Sequence, residues 1–129
     1  MIYGFDWWKT LSHHQETLMP LIRALALAGH DIWVISACGY DRSKSTPEAI
    51  WEALDRYGLK SHVSVQMVIW DIDQKDAPRL KYEACKELGV DLFFDDREDT
   101  CDYLSSRGIP CFRSPFYKHF ENKLDEKNL

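Results

Sequence analysis

Residues 88–99 read Leu-Gly-Val-Asp-Leu-Phe-Phe-Asp-Asp-Arg-Glu-Asp. The Leu88-Gly89 step predicts the end of a helix, since glycine takes the left-handed C-terminal position with least strain. Leu92-Phe93-Phe94 is apolar without alternation, as expected of a strand buried on both faces of a parallel sheet. Asp95-Asp96 then places two carboxylates at the carboxyl end of that strand, where open parallel sheets bind ligands.

Working outward, the same unit recurs. Gly29, Gly58 and Gly108 also follow stretches with helical apolar spacing. The first stretch carries Leu18, Leu21, Ile22, Leu25 and Ala28, with Pro20 in its opening turn. The second opens with Thr46-Pro47-Glu48, a cap, a first-position proline and a first-turn acid, and carries Ile50, Trp51, Leu54 and Tyr57. The third has Leu80, Ala84, Cys85 and Leu88, and the fourth Thr100, Tyr103, Leu104 and Arg107. Between them lie apolar runs at Met1–Phe5, Ile32–Ile35, Val63–Trp70, Leu92–Phe94 and Ile109–Phe112. Strand then helix, repeated and closed by a fifth strand, predicts a doubly wound α/β fold. No linker or internal repeat divides the chain, so residues 1–113 read as a single domain. Residues 114–129 read as a tail or short helix anchored by Phe120 and Leu124.

Composition agrees with one core. The chain has 129 residues, 45% of them hydrophobic, and a net charge of -5 from 16 Lys+Arg against 21 Asp+Glu. The acidic balance argues against general nucleic-acid binding, which calls for a basic stripe. No apolar run is long enough for a membrane span. Cys38, Cys85, Cys101 and Cys111 are widely spaced without a CxxC pair, so reduced thiols in a cytoplasmic protein are expected.

The expected strand ends collect polar residues. Strand one ends at Asp6, before Trp7, Trp8, Lys9 and Thr10. Strand two ends at Ser36, strand four at Asp95-Asp96, and the third helix opens with Arg79, Leu80 and Lys81. An aspartate, a hydroxyl, a lysine and a carboxylate pair on one rim suit a divalent cation and a phosphoryl group. Carboxylate oxygens favour Mg²⁺, while lysine and hydroxyl groups suit phosphate oxygens.

Asp6-x-x-x-Thr10-Leu11, then Val34-Ile35-Ser36, Lys81 before Leu88-Gly89, and Phe93-Phe94-Asp95-Asp96 together resemble the haloacid dehalogenase superfamily across residues 1–113. The resemblance implies a Rossmann-like three-layer α/β/α sandwich with a five-stranded, mainly parallel sheet and no large cap. It also implies a Mg²⁺-dependent phosphohydrolase working through an aspartyl-phosphate. Asp6 would be the nucleophile and a metal ligand, and Thr10 would orient its loop. Ser36 would hydrogen-bond the phosphoryl group, and Lys81 would neutralise Asp6 and the phosphate. Asp96 would bind the metal directly and Asp95 either directly or through water, with the Trp8 carbonyl as a further ligand.

One position departs from that family. Trp8 stands where its phosphatases carry the aspartate that protonates the leaving group, and an indole cannot transfer that proton. Losing a positioned acid–base group typically slows a reaction by about 10²–10⁴-fold. The alternative expectation is therefore a degenerate relative that binds metal and a phosphorylated ligand or a protein partner. His13 and His14 lie just after this loop and are candidates to replace the missing acid, histidine being a common general acid, although two solvated histidines before a helix is the plainer reading. Trp7 is a candidate ring for stacking on substrate, against the simpler role of filling space. Arg97 reads as a surface partner for nearby carboxylates and Asp102 as helix surface, while Asp99 is either outer shell or surface. Asp71 and Asp73, which mimic an acidic strand end, read as a solvated loop. A capless site either admits bulky substrates or is closed by an oligomeric neighbour, in which case the protein is a homo-oligomer.

Overall fold

Asp31–Cys38 carries Val34 and Ile35 side by side, and the two side chains enter different cores, as strand alternation requires. The structure is a computed structural model describing residues 1–39, 46–71 and 73–114. The expected tail, with Phe120 and Leu124, lies outside the described residues.

The chain runs β1 (Ile2–Phe5), a short turn (Trp7–Leu11), α1 (Gln15–Leu27), β2 (Asp31–Cys38), α2 (Pro47–Arg56) and β3 (Val63–Ile69). A 3₁₀ turn (Gln74–Asp76) leads into α3 (Ala77–Leu88), then β4 (Leu92–Asp95), α4 (Glu98–Ser105) and β5 (Cys111–Arg113). The sheet order is β3-β2-β1-β4-β5, with every pairing parallel. The fold is thus the Rossmann-like α/β arrangement the sequence predicts. β1 lies at the centre, pairing Phe5 with Val34 of β2 on one side and with Phe94 of β4 on the other.

Helices cover both faces. Met19 and Ile22 of α1 and Ile50 and Leu54 of α2 pack with Phe5, Ile32 and Val34. Ala84 and Cys85 of α3 and Leu104 of α4 pack with Ile35 and Phe93 on the opposite face. Chain order therefore reverses between β1 and β4, and in open α/β sheets the carboxyl ends at such a point are where ligands bind.

Local signals explain most boundaries. The Thr46 hydroxyl accepts from the Ala49 N–H at 3.1 Å, capping α2. Gly89 ends α3 at φ 74°, a left-handed position. Two boundaries differ from expectation. α1 starts at Gln15, so Pro20 sits past the opening turn, on an exposed face where the unmatched carbonyl of Glu16 meets the surface. β2 continues to Cys38 because β3 pairs with it as far as Ile69, so Ser36 lies inside the strand.

Candidate metal centre

Asp6 follows β1 directly, and its N–H extends the β1–β4 ladder by donating to the Phe94 carbonyl at 2.9 Å. The next residues make one wide turn, closed where the Ser12 N–H donates to the Trp7 carbonyl at 2.9 Å. Lys9 holds the turn at φ 68°, a left-handed position that stores about 1–2 kcal/mol in a non-glycine residue. The turn brings Thr10 back to the strand end, where its hydroxyl donates to Asp6 Oδ2 at 3.1 Å.

Lys81 reaches the same point from α3. Its Nζ lies 2.8 Å from Asp6 Oδ1 and 2.6 Å from Asp95 Oδ2, with all three residues buried. The second oxygen of Asp95 accepts the Arg97 backbone N–H at 2.9 Å. Asp96 completes the group: Asp6, Asp95 and Asp96 each offer an oxygen, all within 4.8 Å of one another. Three carboxylates thus face one ammonium.

The titration behaviour reflects that imbalance. Burial pushes the Asp6 carboxyl up to about 6, with Lys81 opposing and Asp96 adding to the rise. Asp95 is likewise pushed up to about 6 by burial and by the charge of Asp6, against the pull of Lys81. Asp96 is raised by burial and by Asp95. Burial works to lower Lys81, but its attraction to Asp6 and Asp95 outweighs that and holds it firmly protonated. Two buried carboxylates reluctant to ionise beside a third describe a site short of positive charge.

The donor set fits a hard dication. Mg²⁺ takes oxygen ligands at about 2.0–2.1 Å and usually keeps several waters, so oxygens spread over 4.8 Å suit partly water-mediated binding.

Other residues singled out in the sequence fall elsewhere. The Ser36 hydroxyl is fully buried without a hydrogen-bond partner among the described residues, and no bond joins it to the carboxylates. Its strand parity is that of Val34, whereas Ile35 and Lys81's helix belong to the other face. Trp7 is 5% exposed and lies in the core, so its ring is packed rather than displayed. Trp8 is half-buried, and its ring meets His13 edge-on at 5.0 Å. His13 is also within 2.7 Å of the Ser12 hydroxyl. A concavity lined by Ser12, His13, His14 and Tyr57 sits at the start of α1 and includes none of the three carboxylates. Arg97 makes a two-point ion pair with Asp99, at 3.0 and 2.6 Å. Asp73 caps the 3₁₀ turn through the Lys75 N–H, as suits a solvated loop.

Some features had no signal in the sequence. The Arg97 N–H on Asp95 follows from the β4–α4 turn. Cys101 donates to the Asp95 carbonyl at 3.7 Å, and nothing in its sequence spacing marks it.

No family model matches the chain. A search of curated proteins likewise finds no match. Among solved structures, a protein from the universal stress protein family of Burkholderia pseudomallei matches at a TM-score of 0.52. The two are 14% identical, and the match covers 88% of this chain and 95% of that one. At that identity the likeness shows the fold alone.

These findings correct the family expectation. This solved structure is a universal stress protein, not a haloacid dehalogenase, and it gives no support to phosphohydrolysis through an aspartyl-phosphate on Asp6. The physical reason lies in what the motifs consist of. Aspartates after strands and a lysine at a helix start are features that any doubly wound sheet accommodates, because function belongs to sites rather than folds. The residue specific to hydrolysis would sit at position 8, where a tryptophan stands.

Proposed function

We propose that this domain binds a divalent cation, Mg²⁺ by its donor chemistry, and through it a phosphorylated small molecule. The observation carrying this reading is the set of buried Asp6 and Asp95 with half-buried Asp96 against the single ammonium of Lys81. Such an anionic excess is costly unless a cation offsets it. Asp6, Asp95 and Asp96 would hold the ion, which when bound supplies concentrated positive charge at the rim. Thr10 fixes the orientation of Asp6, and the Arg97 N–H fixes that of Asp95. Lys81 bridges Asp6 and Asp95 and limits their repulsion.

The phosphorylated ligand follows from coordination chemistry. Mg²⁺ is commonly held by one or two carboxylates plus substrate phosphates, rather than by a closed protein cage. The position, between the carboxyl ends of β1 and β4 where chain order reverses, is where open α/β sheets take ligands.

Calorimetric titration with Mg²⁺ alone, then with inorganic phosphate in the presence and absence of Mg²⁺, tests the reading. Saturable Mg²⁺ binding is expected, weakened at least tenfold by Asp96→Asn, with phosphate binding only when Mg²⁺ is present. Absence of Mg²⁺ binding at millimolar concentrations, or binding indifferent to Asp96→Asn, would overturn it. Mg²⁺ binding without phosphate binding would remove the phosphorylated ligand.

A further inference from the structure

Behind the carboxylates, α4 and β5 place two cysteines against each other. Cys101 lies within α4 and Cys111 opens β5, ten residues later. Their sulfurs are 3.1 Å apart, with the Cys111 thiol donating to Cys101. The Cys101 thiol donates in turn to the Asp95 carbonyl at 3.7 Å. The cause is local: the Leu104 carbonyl accepts the Ile109 N–H at 3.0 Å, turning the chain back so that β5 runs beside β4, with Cys111 opposite Phe93.

We infer that Cys101 and Cys111 are a modification site, a dithiol that a peroxide converts to an intramolecular disulfide. A disulfide needs its sulfurs at about 2.05 Å, so the pair must close by roughly one ångström. Cys111 is partly exposed and Cys101 is 7% exposed, so the oxidant meets Cys111 first. The Cys111 sulfur attacks hydrogen peroxide: an S–O bond forms as the O–O bond breaks, and hydroxide leaves with the thiol proton as water. Cys101 then attacks the Cys111 sulfenic sulfur. The S–S bond forms, the S–O bond breaks, and a second water leaves with the Cys101 proton. The two sulfurs lose two electrons, and the peroxide gains them.

The bond ties an edge strand of three residues to the helix that follows Asp95, Asp96 and Arg97. Cys85 is fully buried in α3, in the cluster against which Cys111 packs, and the bond we infer leaves it reduced. The inference does not depend on a cation occupying the carboxylates.

The experiment uses the full chain, first reduced and then treated with a small excess of hydrogen peroxide, quenched, denatured, alkylated and digested with trypsin without reduction. Arg107 lies between the two cysteines, so trypsin separates their peptides unless a disulfide joins them. The expected result is loss of two alkylatable thiols, a linked Cys101–Cys111 peptide, and full recovery with dithiothreitol. The oxidised protein should also melt on the order of 5–10 °C higher, because a short loop is closed in the unfolded chain. Cys111→Ser should retain three alkylatable thiols under the same treatment. The inference is overturned if wild type keeps all four thiols, if the new bond involves Cys38, Cys85 or a second molecule, or if Cys111 passes to sulfinic acid without bonding.

Discussion

Lys81 is the residue on which the rim depends, because its single charge serves two buried carboxylates. In the folded protein Asp6 and Asp95 release their protons near pH 6, whereas the unfolded chain releases them near 3.8. Between those values the folded state binds more protons, so stability falls as pH rises through the window and stays lower above it. Two pKa units correspond to about 2.7 kcal/mol for one group, which sets the order of magnitude. Asp99 opposes this only further down: burial alone would raise it, but its pairing with Arg97 lowers it, a contribution lost on acidification below the usual carboxylate range. Urea midpoints in EDTA should therefore be higher at pH 5 than at pH 7, and a midpoint that rises with pH would contradict the electrostatic account. Lys81→Met leaves two carboxylates unpaired and should destabilise the protein by about 3–5 kcal/mol at pH 7. Because protonation relieves the same strain, that deficit should shrink at pH 5.

Among elements, β1 carries the tightest constraint. Gly4 faces Phe93 of the neighbouring strand so closely that an added Cβ would stand 2.5 Å from the ring. Phe93 is fully buried, so the ring cannot swing away, and Gly4→Ala should lower stability by about 1–3 kcal/mol in denaturant titrations. An unchanged midpoint would mean that β1 and β4 pair more loosely than their register indicates. The order of strands and helices was legible because its signals are local: uninterrupted apolar runs, glycines after periodic stretches, and the Thr46-Pro47-Glu48 start. The clustering of Asp6, Lys81, Asp95 and Asp96 was legible for a related reason, since parallel strands put all their carboxyl ends on one rim. Other features depend on partners distant in sequence. Trp7 is buried by the α1 and α2 core, β2 is lengthened by β3, and Pro20 is tolerated by exposure. Lys9 at positive φ carries no signature, since glycine is the residue that announces such a turn. The motif order could not distinguish families, because every doubly wound sheet offers the same strand ends.

At the scale of the whole molecule, the two cores meet at the rim. β1 leads directly into Asp6 and, with α1 and α2, belongs to one core; α3 and α4, which flank the other core, present Lys81 and follow Asp95. A cation held by Asp6, Asp95 and Asp96 would therefore join segments 89 residues apart, from Asp6 to Asp95, across the point where chain order reverses. A ligand that binds only the folded state adds RT ln(1 + [L]/Kd), about 2.7 kcal/mol at one hundred times Kd. Mg²⁺ should consequently raise the melting temperature, with a larger rise at pH 7 than at pH 5, because it must displace protons from Asp6 and Asp95 below about pH 6. The sign is opposite to that of the protein in EDTA, whose stability falls over the same pH interval. Scanning calorimetry at both pH values, with Mg²⁺ and with EDTA, separates the two effects. Asp96→Asn should keep the direction of the EDTA profile, since Lys81 still bridges Asp6 and Asp95, but flatten it because Asp96 adds to the rise of Asp6; it should lose most of the Mg²⁺ increment. An increment that persists in Asp96→Asn, or is equal at both pH values, would place the cation away from this rim.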